Sequence, residues 1–165
     1  GFDPLRVGMV GEIYVVLEPF TNFRLEEKLG EMGIIVDRAI YLTDWIKENL
    51  YLSLFKEKNK HQKIEEAAKP YLNHFVGGHG LESVGETVLY AEEGYDGVIH
   101  LAPFTCMPEI IADSVLPTVS RDLDIPVLSL SVDEQTGEAG FITRLEAFAD
   151  LLARKRESKK EEQVV

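Results

Sequence analysis

Gly97-Val-Ile-His100-Leu-Ala102-Pro103-Phe-Thr-Cys106-Met-Pro108-Glu109 decides how this chain folds. Its apolar run, Gly97 to Ala102, stops at Pro103. Short runs of this kind suit strands buried on both faces of a parallel sheet. Proline fits the first turn of a helix, so Pro108 marks a helix start. Between strand and helix lies a turn carrying Cys106, the only cysteine of the chain. Open parallel sheets place their chemistry on such turns, and a helix N-terminus favours a thiolate. A lone cysteine forms no intrachain disulfide and no complete cysteine metal site. If it is a ligand, its partners lie outside these residues. The plainer alternative is a buried thiol acting as a small hydrophobe.

Outward from this stretch the same grammar repeats. Leu5 to Gly11, Ile34 to Val36 and Ile125 to Val132 are further strand candidates, the second with Ile40 and Leu42 in line to extend it. Helical spacing marks Asn22 to Met32, with Gly33 as its stop. Thr43 or Asp44 can cap a helix through Trp45, Ile46, Leu50, Leu52 and Phe55. Lys56 to Lys63 reads as a helix end or turn, and Ile64 to Phe75 as a helix interrupted at Pro70. Further helices are expected over Leu81–Glu93 and Pro108–Leu123, the latter bent or split by Pro117. The last, Ala139–Arg156, carries Phe141, Leu145, Phe148, Leu151 and Leu152 on one stripe. Residues 1–157 therefore read as a single α/β domain, and 158–165 as a frayed charged tail. Strands alternating with helices predict a four-stranded parallel sheet with helices on both faces, in the order 2-1-3-4.

Composition narrows the function classes. With 165 residues, 45% of them hydrophobic, the chain can bury one real core. Its 29 acidic residues against 17 basic ones give a net charge of -12. That balance argues against nucleic acid and anionic membranes as partners. A single cysteine fits a reducing compartment, and the cytoplasm is the expected location. No apolar run approaches the ~20 residues that span a bilayer, and no basic-then-apolar leader is present. The chain begins at Gly1-Phe-Asp-Pro rather than methionine. It reads as a fragment, which would place missing ligands upstream.

Parallel strands end on one edge of their sheet. Gly11-Glu12, Thr43-Asp44, Pro103 to Glu109 and Asp133 to Gly140 should meet there. Gly77-Gly78-His79-Gly80 joins them at the start of the helix over Leu81–Glu93. Its backbone N–H groups can cradle an anion, but a flexible connection between helices is the stronger reading of this loop alone. It is neither a Walker loop nor Gly-x-Gly-x-x-Gly after a strand. Asp133 and Glu134 can accept hydrogen bonds from hydroxyl or amide donors, and Thr136-Gly137 can meet a phosphate. An ordinary capped turn explains them as well. Gly11 and Glu12 carry the same ambiguity. Among the histidines, His100 is expected to be buried and hydrogen-bonded and His61 exposed. His74 and His79 lack a one-face helical spacing. Without His-Glu-x-x-His or Gly-x-Ser-x-Gly, zinc hydrolysis and serine hydrolysis have little support.

Taken together, six strings resemble one family. They are Val10-Gly-Glu-Ile-Tyr-Val15 with Pro19-Phe-Thr-Asn22, Gly78-His-Gly80, His100-Leu-Ala-Pro-Phe-Thr-Cys-Met-Pro-Glu109, Val132-Asp-Glu-Gln-Thr-Gly-Glu-Ala-Gly140, and Thr143-Arg-Leu-Glu-Ala-Phe148. In this order, from about Leu5 to Leu152, they are similar to the 2-hydroxyacyl-CoA dehydratase D-component family, including the related part of CoA-substrate-specific enzyme activases. The resemblance implies a Rossmann-like or flavodoxin-like domain, one of two in the family subunit. It implies an oxygen-sensitive iron–sulfur cluster in the intact protein, held by cysteines of both domains, with Cys106 as the metal ligand here. It implies electron delivery from an ATP-dependent activator and a substrate such as an acyl-CoA. Gly11, Glu12, Gly78, His79, Asp133, Glu134, Thr136 and Gly137 would line the cofactor and substrate crevice. The departure is equally clear: a cubane needs at least three protein thiolates, and this chain has one. The isolated chain is therefore expected to hold no cluster and to be inactive. Two alternatives remain, a docking or regulatory module of an activase and a nucleotide- or CoA-binding flavodoxin-like domain.

Overall fold

Apolar runs too short for helices satisfy their backbone hydrogen bonds by pairing with one another. Four do so as β1 (Leu5–Gly11), β2 (Ile34–Arg38), β3 (Gly97–Pro103) and β4 (Val127–Val132). All pairs are parallel, in the order β2-β1-β3-β4. The fold is thus the α/β class and strand order expected. This computed structural model describes residues 3–39 and 60–162. Among them are six helices: α1 (Ile13–Leu17), α2 (Leu25–Glu31), α3 (Lys60–Ala68), α4 (Gly80–Glu92), α5 (Met107–Asp122) and α6 (Glu138–Glu162).

Side chains alternate between the faces of the sheet, and each face has its own core. Val7, Met9, Ile99, Leu101, Leu130 and Val132 pack with α1, α2 and α6. Val10 and Val98 pack with Tyr90 of α4, while Ala112, Leu116 and Val119 of α5 meet Val84 and Val88 of α4. On α6, Phe141, Leu145, Phe148 and Leu152 are buried, whereas Leu151 lies 52% exposed, off that stripe. Each buried side chain of this size contributes roughly 1.5–3 kcal/mol. Packing, rather than the propensity of its lysine-rich end, therefore anchors α6.

Several boundaries differ from the sequence reading. α3 is described from Lys60, ahead of Ile64, and stops at Ala68. Proline disfavours the helical region in the residue before it, so Pro70 ends this helix rather than interrupting it. α5 runs unsplit through Pro117. α6 continues to Glu162, so residues 158–162, expected as tail, are helical. α1 was not anticipated; Glu12 caps it by accepting from the Val15 N–H at 3.1 Å. The strand extension to Ile40 and Leu42 and the helix from Thr43 or Asp44 to Phe55 lie outside the described residues. Among the described residues no helix is long and apolar enough to cross a membrane.

Candidate functional site

The carboxyl ends of β1 and β3 come unusually close. Gly11 has φ +134°, and a Cβ there would overlap the Leu101 carbonyl. Only glycine meets both demands. The approach lets the Glu12 N–H donate to Leu101 O at 2.9 Å, which seats Glu12 on the sheet edge.

β3 runs out at Pro103 into a tight turn. The Cys106 N–H donates to Pro103 O at 3.1 Å, and the Phe104 N–H ties the turn to Val132 O at 2.9 Å. Thr105 carries φ +77°. For a β-branched residue that conformation is strained by about 1–3 kcal/mol. Cys106 follows as the N-cap of α5, half-buried, and its thiol makes no capping hydrogen bond. The thiol thus stands where the sequence reading put it, on a braced turn at the sheet edge.

Beside this turn, on the α1, α2 and α6 side, lies a crevice of about 820 Å³. Glu12, Asp133, Glu134 and Thr136 line it, with Pro103 of the cysteine turn. Asp133 Oδ1 accepts from the Gln135 N–H at 2.9 Å and the Thr136 hydroxyl at 2.8 Å. The Asp133 N–H donates to Thr136 Oγ1 at 2.8 Å. These residues therefore brace their own turn as well as facing the crevice. Gly137 lies outside the lining; its carbonyl accepts from the Phe141 N–H in the first turn of α6.

Tyr14, Phe20, Phe23, Arg24 and Lys28 also line the crevice. Sequence reasoning did not single them out. Phe20 is 87% exposed. Phe23 and Arg24 both have φ +54°, a rare pair of left-handed residues with no glycine to signal it. Lys28 reaches Glu138 at 3.0 Å, linking α2 to α6 at the crevice. The site is thus part aromatic, part charged, with acids outnumbering bases.

Gly77-Gly78-His79-Gly80 lies elsewhere. Gly77 and Gly78 have positive φ, and a Cβ on Gly78 would stand 3.0 Å from the Pro108 ring. At Gly80 it would overlap the Pro108 carbonyl. The loop packs on the first turn of α5, beyond the sheet from the crevice. His79 is the N-cap of α4 and makes no side-chain capping bond. Of the nominated residues, Glu12, Asp133, Glu134 and Thr136 lie on one side of the Cys106 turn and Gly78 and His79 on the other, while Gly11 and Gly137 are outside the crevice lining.

Behind the turn sits a buried charged network. His100, 2% exposed, points from β3 under α5. Its Nε2 meets Glu109 Oε2 at 2.8 Å, and the Ser83 hydroxyl donates to the same oxygen at 2.9 Å. Glu109 Oε1 has no hydrogen-bond partner among the described residues. His100 Nδ1 lies 3.7 Å from Asp113 Oδ1. Burial works against the imidazolium, but Asp113 and Glu109 outweigh it and raise the His100 pKa above 6.5. The nearby His100 ring in turn lowers the Asp113 pKa, with Ser129 helping. Burial of His100 was legible in the sequence; its partner Glu109 was not.

Among the described residues no three histidine, cysteine, aspartate or glutamate side chains converge to hold a metal ion. Cys106 is therefore not part of such a group there. Comparison of the chain with models of known protein families returns no match, and comparison with curated proteins returns none.

Proposed function

We propose that this domain supplies one thiolate, Cys106, to an iron–sulfur cluster completed by residues outside this chain, in a 2-hydroxyacyl-CoA dehydratase-like or related ATP-dependent reductase. The observation that carries the reading is the turn itself. A strained residue, a turn hydrogen bond and a tie to β4 hold a half-buried thiol at the carboxyl edge of a parallel sheet, beside a large crevice. Sheet edges of this kind are where α/β domains bind and react. The family resemblance adds the chemistry: electron delivery by an ATP-dependent activator, and an acyl-CoA substrate against the wall bearing Glu12, Asp133, Glu134 and Thr136.

The residues of this chain do not fit a complete cluster. One thiolate is present where a cubane needs at least three. The role claimed is therefore that of one ligand and one wall, with the second cluster-binding domain as partner. What the chain itself does is aim Cys106 and shape the crevice.

A second reading is favoured by the crevice: a nucleotide- or CoA-binding domain with no cluster. Its size and aromatic lining suit a ligand of that class, and it requires nothing of Cys106.

The test is purification of the intact gene product without oxygen, beside its Cys106→Ser variant. Bound iron, acid-labile sulfide and visible absorption are then measured. A cluster in the parent that is lost or weakened in the variant supports the ligand role. Equal iron in both, or none in either after reconstitution, removes Cys106 from the chemistry and leaves the second reading. Thermal shift with CoA then tests that reading in turn.

A further inference from the structure

We propose that a second cavity, between the β4 edge and α5, binds a small α-amino acid with an apolar side chain. This cavity measures about 360 Å³, at the small end of the roughly 300–1,000 Å³ typical of ligand sites. It lies across the Cys106 turn from the crevice. The inference stands whether or not Cys106 binds a cluster.

The cavity exists because β4 is an edge strand with small residues on its α5 side. Ser129 pairs with His100 and Ser131 with Ala102, so both serines share the face of His100. Both line the cavity floor. Arg144 comes round the edge from α6 and donates one Nη to Ser129 O at 2.7 Å. Its remaining N–H groups are donors at the mouth.

His100 supplies the second cationic group. Glu109 holds its Nε2, so the ring cannot turn away. Its Nδ1 faces Asp113 across 3.7 Å, too wide for a direct hydrogen bond. A nine-tenths-buried imidazole thus presents its Nδ1, paired with Asp113 only at ion-pair distance, to a cavity that it lines. Asp113 lines the same cavity with a side chain 52% exposed.

These charges choose the ligand. Arg144, His100 Nδ1 and two hydroxyls suit a carboxylate. Asp113 suits an ammonium group close by. A simple anion would meet the repulsion of Asp113, and a simple cation that of Arg144. A zwitterion satisfies both. Phe104 and Ile110, 66% and 50% exposed, line the cavity and offer apolar cover for a side chain.

The experiment is a titration followed by amide NMR on this chain. L-leucine and L-phenylalanine are the probes, with isovalerate and 3-methylbutylamine as half-ligands. Expected are shifts of the Asp113, Ser129 and Ser131 amides with leucine or phenylalanine. Leucine should bind about tenfold or more tighter than either half-ligand. Asp113→Asn and Arg144→Gln should each weaken it about tenfold, with the remaining spectrum unchanged. Three results would overturn the proposal: no response to either amino acid at about 10 mM, isovalerate binding as tightly as leucine, or both variants binding leucine like the parent.

Discussion

Pro103 lines both cavities, and they are built in opposite ways. On the crevice side, Phe20 and Tyr14 stand largely in solvent, and Asp133 and Thr136 bond one another at the surface. On the other side, His100 and Glu109 are almost wholly buried and neutralise one another inside the protein. Exposed groups can be replaced at little cost to folding. A buried pair cannot lose one member without stranding the other charge. The difference separates a surface free to change from a frame fixed by folding. Cys106 sits on the turn between them.

The largest effect should come from breaking the frame. Glu109→Ala leaves His100 without its carboxylate and the Ser83 hydroxyl without its acceptor. The expected loss is about 3–5 kcal/mol in urea unfolding. Glu134→Ala, in the crevice and exposed, should change stability by less than about 0.5 kcal/mol. Comparable losses in the two variants would erase the distinction drawn here.

Beneath the crevice the backbone is also fixed, and Gly11 tests how far the frame reaches under the free surface. Gly11→Ala would meet the Leu101 carbonyl at a φ that alanine resists. A loss of more than about 2 kcal/mol is expected. Gly30→Ala in α2 has open space and an ordinary helical position. It should gain about 0.5–1 kcal/mol. A harmless Gly11→Ala would mean that β1 and β3 can separate at their ends.

A third test uses pH. The folded pKa of His100 is raised above 6.5. Its contribution is full below about 6.5 and is lost as pH rises through the folded value. Asp113, whose pKa is lowered, contributes above 3.8 and loses its share as pH falls. Stability should therefore decline on the alkaline side of 6.5 in the parent and hold flatter in His100→Gln. A parallel decline in both would place the titrating group elsewhere.

How much of this was legible depended on range. The strands were readable because each is a short apolar run closed by Gly, Pro or a polar residue. Their order followed from right-handed crossovers and one reversal. The edge position of Cys106 followed from Pro103 and Pro108. What escaped were facts of face rather than edge. Gly77 to Gly80 begins a helix on the expected edge, but on the α4 and α5 side, so it packs on Pro108 instead of entering the crevice. Nothing in Phe23-Arg24 announces two left-handed residues, because neither is Gly or Asn. The His100–Glu109 pair spans a strand, a turn and a helix start, and no periodic pattern covers that path. Glu12 was read as a crevice residue, and it is also the cap that starts α1, a role visible only in three dimensions.

The smallest effect concerns Thr105, which joins the two regions. At φ +77° threonine is strained by about 1–3 kcal/mol. Glycine adopts that conformation freely, but its unfolded chain is more disordered, which offsets about 0.5–1 kcal/mol. Thr105 is exposed, so little packing is lost on its removal. Thr105→Gly should therefore raise stability by up to about 1 kcal/mol, read from the urea midpoint at constant slope. A gain would mean that the surrounding bonds, Cys106 N–H to Pro103 O and Phe104 N–H to Val132 O, hold the turn against its own preference. A loss would mean that the threonine side chain itself stabilises the turn, and that the frame behind Cys106 extends into the loop rather than stopping at Glu109.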